Sequence, residues 1–140
     1  MLELNHWKSS YSVGHWVLDN QHRVLLGLCA DALELLPEDT KEKPNHRFRY
    51  VQEELLACIE EHFETEERLL KLISRPVYEQ HRLEHENFWV QLSAYLEQVA
   101  QGEIDRDALR SFFIEWWTEH ILNSDRAFSQ LIQRIPKTAP

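Results

Sequence analysis

Two pairs of potential metal ligands stand in the middle of the chain. His62 and Glu66 are four residues apart, and His81 and His85 have the same separation. On an α-helix, a step of four residues returns a side chain to nearly the same face. Each pair can therefore direct two ligand atoms to one point, and imidazole and carboxylate groups bind transition metals. The spacing predicts a metal site.

Both pairs lie on the apolar faces of predicted helices. Between residues 48 and 73, apolar side chains recur at helical spacing, and the first pair falls within or beside that stripe. The second pair continues the apolar stripe of the next helix. A buried imidazole or carboxylate without a partner costs several kcal/mol, and a bound cation would remove that cost.

The composition indicates one all-helical domain. The chain has 140 residues but only three glycines and five prolines, and its net charge of -9 argues against nucleic acid or an anionic membrane surface as a partner. No apolar run is long enough to cross a bilayer, and the start of the chain lacks the pattern of a signal peptide. We therefore expect a soluble, cytoplasmic protein. Cys29 and Cys58 are expected to be free thiols in core positions.

The first 18 residues show no helical period and predict an extended arm, with Trp7 and Trp16 as its anchors. Asp19 is expected to be the N-cap of the first helix, which carries His22 on its apolar face. The other helices are expected at 45–72, at 76–100 and from 105 onward. Polar, proline-containing or glycine-containing segments separate them.

Four helices joined by short loops predict an all-α fold, an antiparallel up-down-up-down four-helix bundle. The candidate ligands occur early in the first and third helices and late in the second and fourth, so antiparallel packing would bring all of them to one end. We expect a single domain over residues 1–140, divided into the arm (1–18), the bundle (19–134) and a tail (135–140).

The fourth helix carries His120 and Asp125, which are five residues apart. On an ideal helix this step leaves the two side chains about 140° apart. If both face one metal site, the helix must widen or break near residues 122–124, as π-helical turns at functional sites do. The alternative is that Asp125 faces solvent or caps a helix.

These residues together resemble the hemerythrin family, specifically its single-domain bacterial members. The positions that carry the resemblance span nearly the whole chain: Trp7, Ser12-Val13-Gly14, Asp19, Gln21-His22, His62-Phe63, Glu66-Glu67, His81, His85, Trp116, His120-Ile121 and Asp125. The resemblance implies two non-haem iron ions with a bridging oxo or hydroxo group. Its implied ligands are His81, His85 and His120 for one iron, His22 and His62 for the other, and Glu66 and Asp125 bridging both.

With this ligand set, two octahedral irons have one open position, on the two-histidine iron. The resemblance implies that dioxygen binds there in the diferrous state, with nitric oxide or small anions as further ligands, in an oxygen carrier, store or sensor rather than an enzyme. It also implies a dry pocket, with Phe63, Trp116 and Trp117 as walls. Trp117 stands where the family usually has a leucine. It could close the pocket, narrow the oxygen path or turn away.

Three alternatives remain open. Trp117 could impair reversible oxygenation, leaving a module that senses redox state, nitric oxide or oxygen, or a protein that reduces oxygen or peroxide. A ferritin-like oxidative enzyme would instead need several glutamates and paired Glu-x-x-His motifs, whereas this chain has one such motif, Glu3 to His6. His15 stands where the hemerythrin family usually has an aliphatic residue. It could be a proton donor near the metals, or it could be a histidine of the arm that hydrogen-bonds to backbone or solvent. His46 is expected to be solvated surface.

Overall fold

The computed structural model of this protein describes residues 1–38 and 41–133. Its helices are a short 3-10 helix in the arm (Ser9–Tyr11), α1 (Trp16–Leu35), α2 (His46–Ile73), α3 (Arg75–Ala100), α4 (Arg106–Glu119), a π-helical turn (His120–Asp125) and α5 (Arg126–Gln133). Helix α4, the π-helical turn and α5 together make the fourth helix of the bundle, so the predicted all-α four-helix fold is confirmed. Within the described residues, no helix is long and apolar enough to cross a membrane. Residues 134–140, which include the predicted tail, lie outside this description.

Side-chain caps explain where the first four helices begin. Each cap accepts a hydrogen bond from the backbone N–H three residues later, and the capping residues are His15, Asn45, Ser74 and Asp105. The predicted starts of α2 and α4 are therefore confirmed. Helix α3 includes Arg75, one residue earlier than predicted, with Pro76 in the first turn, where the absent N–H loses no helical hydrogen bond.

The prediction that Asp19 caps the first helix was wrong. Helix α1 begins at Trp16 with His15 as its cap, so Asp19 lies in the first turn. Its carboxylate accepts hydrogen bonds from the Ser12 hydroxyl at 2.5 Å and from the Val13 N–H at 2.8 Å. An acceptor near a helix start resembles a cap in sequence, but here it fastens the preceding arm.

One of the two predicted anchors of the arm, Trp7, packs against the protein, and the other, Trp16, does not. Trp7 packs edge-on against buried Tyr11, with ring centroids 5.7 Å apart, as an anchor should. Trp16, in contrast, is 81% exposed, so its prediction as an anchor was wrong. Leu2 and Val13 are buried and contribute the apolar contacts that the prediction gave to Trp16.

The end of the arm, residues 10–14, is hydrogen-bonded to helix α5, and we call these hydrogen bonds the clasp. The Arg126 guanidinium donates to the Ser10 carbonyl, the Ser129 hydroxyl to the Val13 carbonyl, and the Gln133 amide to the Gly14 carbonyl. Gly14 has a φ of 80°, which other L-residues adopt rarely, and a Cβ there would lie 2.6 Å from the Gln133 amide nitrogen. These hydrogen bonds join the start of α1 to the helix that follows the π-helical turn.

One end of the bundle is filled by apolar side chains, and we call it the apolar end. Its members come from late α1 and α3 and early α2 and α4, and they are all buried: Leu33, Phe48, Leu55, Leu92, Val99 and Leu109. Both cysteines are free thiols, as predicted. Cys29 is buried in the core, but Cys58 is partly exposed and only packs against the core, so its predicted core position was wrong. Because neighbouring helices are antiparallel, their opposite halves all meet at the other end.

Candidate metal centre

The seven predicted ligands meet at the end of the bundle opposite the apolar end, and we call this the metal end. None is more than 3% exposed. Helix α1 contributes one, α2 and α3 two each, and the π-helical turn two: His22, His62, Glu66, His81, His85, His120 and Asp125. Six of these side chains, all except His85, form two overlapping groups that could each hold a metal ion, and both carboxylates belong to both groups. Nε2 of His85 lies beside the second group, 3.5 Å from Oε2 of Glu66.

Asp125 divides its two carboxylate oxygens between the groups. Oδ2 lies 2.8 Å from Nε2 of His22. Oδ1 lies 3.2 Å from Nε2 of His81 and 3.1 Å from Nε2 of His120. One oxygen therefore faces the α1–α2 side of the centre, and the other faces the α3 side and the π-helical turn.

Glu66 divides its oxygens in the same way. Oε1 contacts Nε2 of His62, on the α1–α2 side. Oε2 lies 3.5 Å from Nε2 of His81, 3.5 Å from Nε2 of His85 and 3.4 Å from Nε2 of His120. Two carboxylates that each offer one oxygen to each group are arranged to bridge two cations.

The π-helical turn brings His120 and Asp125 to the same face. The predicted non-ideal turn near residues 122–124 is confirmed, since the π-helical segment runs from His120 to Asp125. The wider turn lets a five-residue step end where a four-residue step would on an α-helix. Asp125 is completely buried, so the alternative that it faces solvent was wrong.

Several polar atoms at the centre lack hydrogen-bond partners. Despite the short distances given above, both oxygens of Glu66 and the Nε2 atoms of His85 and His120 are buried and form no hydrogen bond of normal geometry with any described residue. On the other side, Nε2 of His22 lies only 3.1 Å from Nε2 of His62. Buried acceptors directed at a common volume require a cation to offset their desolvation, and mixed imidazole and carboxylate ligands suit iron, manganese or zinc. The residues therefore fit a pair of transition-metal ions.

The charges at the centre control the protonation of its histidines. Burial opposes a charge on His62, but Glu66 and Asp125 outweigh burial and raise its pKa to about 9. Burial likewise opposes a charge on His120, yet the same carboxylates raise its pKa well above the usual value. For His22, burial and the neighbouring His62 lower the pKa.

Both carboxylates remain ionised despite their burial. Burial alone would raise the pKa of Glu66, but His62 and His120 hold that pKa well below its usual range. The pKa of Asp125 is also lowered, because His120 and hydrogen bonds from His22 and His62 outweigh burial and the nearby Glu66 charge. In the metal-free protein, protons on imidazoles balance these carboxylates, and a metal ion would replace those protons.

Side chains behind two of the histidines fix the direction of their rings. Nδ1 of His62 donates to the Gln21 amide oxygen at 2.8 Å, and the Gln21 amide nitrogen donates to the Thr65 hydroxyl at 3.2 Å. Nδ1 of His85 donates to a carboxylate oxygen of Glu67 at 2.9 Å. A proton on Nδ1 leaves the lone pair of Nε2 facing the centre, as a metal ligand requires.

Two of the predicted pocket residues stack on histidine rings. Phe63 lies flat on His85, with centroids 3.7 Å apart and an interplanar angle of 5°. Trp116 lies on His120, with centroids 4.4 Å apart and an angle of 23°. Trp116 and His120 also line a surface cleft of about 270 Å³. These stacks restrict the imidazole rings in the orientations that direct Nε2 inward.

Trp117, the third predicted pocket residue, is completely buried beside the centre. Its ring centroid lies 6.1 Å from that of His62 and 6.2 Å from that of Phe63. Trp117 also acts on the buried thiol of Cys29. Burial raises the pKa of that thiol, and the indole N–H of Trp117 partly lowers it. Trp117 therefore lies beside the ring of His62, and the choice among the three arrangements considered for it stays a prediction.

The remaining histidines lie apart from the centre. His15 accepts from the Leu18 N–H at 3.4 Å, so it is satisfied by backbone, and His6 and His46 are exposed. Sequence reasoning assigned no role to Gln21 or Glu67, although each directly follows or precedes a ligand in the chain. That adjacency was the available signal, but it did not show which histidine each would contact.

Comparisons with known proteins agree with this geometry. The sequence model of the Hemerythrin HHE cation binding domain matches residues 13–132, a range that includes all seven candidate ligands. A protein named bacteriohemerythrin from Clostridium acetobutylicum is 28% identical over 126 residues, which cover 87% of this chain and 96% of that protein. No solved structure matches the chain significantly.

Proposed function

Because the chain belongs to the hemerythrin family, whose members are non-haem iron, oxygen-binding proteins, we propose that it binds dioxygen at a di-iron centre. The proposal is an oxygen carrier, store or sensor rather than an enzyme. One iron would be held by three histidines and the other by two, with the two carboxylates and an oxo or hydroxo group between them. The histidines and carboxylates are His81, His85 and His120; His22 and His62; and Glu66 and Asp125.

The observation that carries this proposal is the division of both carboxylates. Glu66 and Asp125 each present one oxygen to each group of histidines, an arrangement that a single metal ion would not require. A second observation supports the proposal: buried polar atoms of Glu66, His85 and His120 form no hydrogen bond with the described residues, so a metal ion could bind them. Five histidines and two carboxylates also leave one coordination position open on the two-histidine side.

The chemistry that two ferrous ions supply when bound is the donation of two electrons to dioxygen. The protein contributes orientation and the exclusion of water. Gln21 holds the His62 ring so that Nε2 faces the centre. Phe63 and Trp117 surround the same region with apolar surface, which keeps water and external protons away.

The position of Trp117 favours a second candidate function at the same centre. A completely buried indole beside His62 occupies space next to the side on which dioxygen would bind. In this second candidate, restricted space impairs reversible oxygenation, and the centre either senses oxygen, nitric oxide or redox state or reduces oxygen or peroxide. Both candidates use the same ligands, so they differ in reactivity and not in metal content.

The test is a visible absorption spectrum of the iron-loaded protein, reduced without oxygen and then cycled between air and inert gas. Reversible oxygen binding predicts a colourless reduced form that gains a charge-transfer band in air and loses it under inert gas. Direct, irreversible conversion to a stable diferric spectrum would support the second candidate. A protein that retains fewer than two irons per chain would contradict both.

We also propose that residues 1–140 form one domain and that the protein is cytoplasmic. The continuous match over residues 13–132 and the hydrogen bonds between the arm and α5 support one domain. The net charge of -9 agrees with a protein that binds neither nucleic acid nor an anionic membrane. Cell fractionation tests the location.

A further inference from the structure

The metal end has two halves, whose histidines have different partners on their outward-facing side. The three-histidine half contains His81, His85 and His120, and the two-histidine half contains His22 and His62. Each ring that directs Nε2 at the centre leaves Nδ1 facing outward. The group that accepts the Nδ1 proton alters the electron density at Nε2, and with it the strength of the metal bond.

Carboxylates stand behind the three-histidine half. Nδ1 of His85 is 2.9 Å from Oε2 of Glu67, a hydrogen bond to an ionised acceptor. Nδ1 of His120 faces Oε2 of Glu84 at 3.4 Å, without forming a hydrogen bond. The other Glu84 oxygen accepts from the Ser124 hydroxyl at 3.3 Å. The side chains of Glu67 and Glu84 are 27% and 30% exposed, so water screens their charges only partly.

Within the described part of the chain, no carboxylate accepts a hydrogen bond from the outward-facing Nδ1 atoms of the two-histidine half. Nδ1 of His62 donates to the neutral amide of Gln21. Nδ1 of His22 is buried and has no hydrogen-bond partner among the described residues. Hydrogen bonds to an ionised acceptor are about twice as strong as those between neutral groups. His85 in the three-histidine half is therefore held by a stronger outward hydrogen bond than His62 in the two-histidine half.

We propose that Glu67 and, more weakly, Glu84 make the three-histidine half the tighter metal site, so that it fills first and the two-histidine half fills second. The inference rests on the proposed di-metal centre and adds an order of loading to it. The three-histidine half also has one more imidazole ligand than the other half, which raises its metal affinity further. Glu67 is the stronger positioning residue, because its hydrogen bond is short, whereas Glu84 acts through charge alone.

Titration of the metal-free, full-length protein with Co²⁺, followed by calorimetry and visible absorption, tests the order. The parent protein should bind two Co²⁺ ions in two resolved steps. Glu67→Gln should weaken the first step by about 10- to 100-fold and leave the second step nearly unchanged. Glu84→Gln should weaken the first step less. His22→Ala should abolish the second step and retain the first.

Two further variants separate an electrostatic role from a structural one. Glu64→Gln makes the same change of charge at an exposed position three residues earlier on α2 and should alter neither step. Gln21→Glu places a carboxylate behind His62 and should strengthen the second step, bringing the two affinities closer together. A structural effect of Glu67 would instead weaken both steps equally and lower the melting temperature of the metal-free protein.

The outcomes distinguish this inference from the proposed function. Two Co²⁺ ions bound with equal affinity in the parent, or a first step unaffected by Glu67→Gln, would overturn the order of loading while leaving the di-metal centre intact. Equal weakening of both steps by Glu67→Gln would overturn the role of Glu67. Failure of the parent to bind a pair of ions would overturn the di-metal proposal as well.

Discussion

The two ends of the same four helices are stabilised in different ways. At the apolar end, side chains such as Leu55 and Leu92 stabilise the fold by removing apolar surface from water, at about 25 cal/mol per Å². At the metal end, seven polar side chains are equally buried, and their desolvation is offset by attraction between imidazolium and carboxylate groups. The first end needs no ligand, whereas the second carries groups that could hold metal ions in place of protons.

The difference teaches that the fold and the site are separable along each helix. Each helix has one half that packs the core and one half that carries ligands, so a substitution should affect stability at one end and metal binding at the other. The last part of the arm, residues 10–14, and the π-helical turn belong to the metal end, where they depart from the regular bundle. Substitutions at each end test this separation.

The largest expected effect is the loss of metal from His120→Ala. Nε2 of His120 lies 3.1 Å from Oδ1 of Asp125 and 3.4 Å from Oε2 of Glu66. The substitution therefore removes a candidate ligand that lies next to both bridging carboxylates. The variant should lose the iron pair or retain one iron per chain, as measured by metal analysis. His46→Ala removes an exposed histidine and should leave the metal content unchanged. Equal iron in the two variants would contradict the ligand assignment.

At the apolar end, Leu55→Ala should reduce stability without changing metal content. Leu55 is 2% exposed, and a Leu→Ala cavity in a core costs about 2–5 kcal/mol of unfolding free energy. Urea unfolding of the metal-free protein measures this loss, and iron analysis should still give two ions per chain. Leu72→Ala is the control, because Leu72 is 85% exposed and should cost no more than about 0.5 kcal/mol. A loss of iron in Leu55→Ala would show that the two ends are coupled.

The next prediction concerns pH. The pKa of His62 is raised to about 9 and that of His120 is also raised, so both carry protons at pH 7 that a metal must displace. Metal affinity should therefore rise from pH 7 to about pH 9, with proton release measured by calorimetry in buffers of different ionisation enthalpy. His46→Ala should show the same dependence. A pH-independent affinity would contradict the proposed charge state.

The same pKa shift of His62 has the opposite effect on the metal-free fold. A histidine whose pKa is raised on folding contributes stability that is fully present below its unfolded value of 6.5. That contribution is lost as the pH rises through about 9. The unfolding free energy of the metal-free protein should thus fall over the range in which metal affinity rises, and urea unfolding at several pH values tests this.

The smallest expected effect on the metal end is that of Trp117→Leu. The ring of Trp117 lies 6.1 Å from that of His62 and contributes no ligand atom, so iron stoichiometry should not change. Space opened beside His62 should alter the rate of oxygenation or autoxidation by about tenfold, equivalent to a barrier change of about 1.4 kcal/mol. Trp117→Phe, which retains an aromatic ring, should shift these rates less. Identical rates in Trp117→Leu and the parent would remove Trp117 from the oxygen pocket.

Most of the bundle was predictable, because helical spacing of apolar residues and the breaks around Pro76 and Gly102 are local features of the sequence. The errors were also local. Asp19 is an acceptor near a helix start, and sequence alone did not distinguish capping α1 from fastening the arm. Trp16 was predicted to anchor the arm, but a large apolar residue is not necessarily buried.

The candidate site was predictable where chemistry and spacing act together. Ligands four residues apart on a helix must share a face, and the five-residue step from His120 to Asp125 required the helix to widen, as it does. The contact of Gln21 with His62 could not be predicted, because it depends on the depth at which α1 packs against α2. Sequence spacing does not determine that packing.

The clasp between the arm and α5 affects when the metal end can assemble during translation. Residues 10–14 are synthesised before α5, and their hydrogen-bond partners follow Asp125, the last of the candidate ligands. A nascent chain that includes only α1 to α3 lacks both His120 and Asp125, so one of the two bridging groups is absent. The proposed pair of metal ions would therefore need the fourth helix before both bridging carboxylates could hold it.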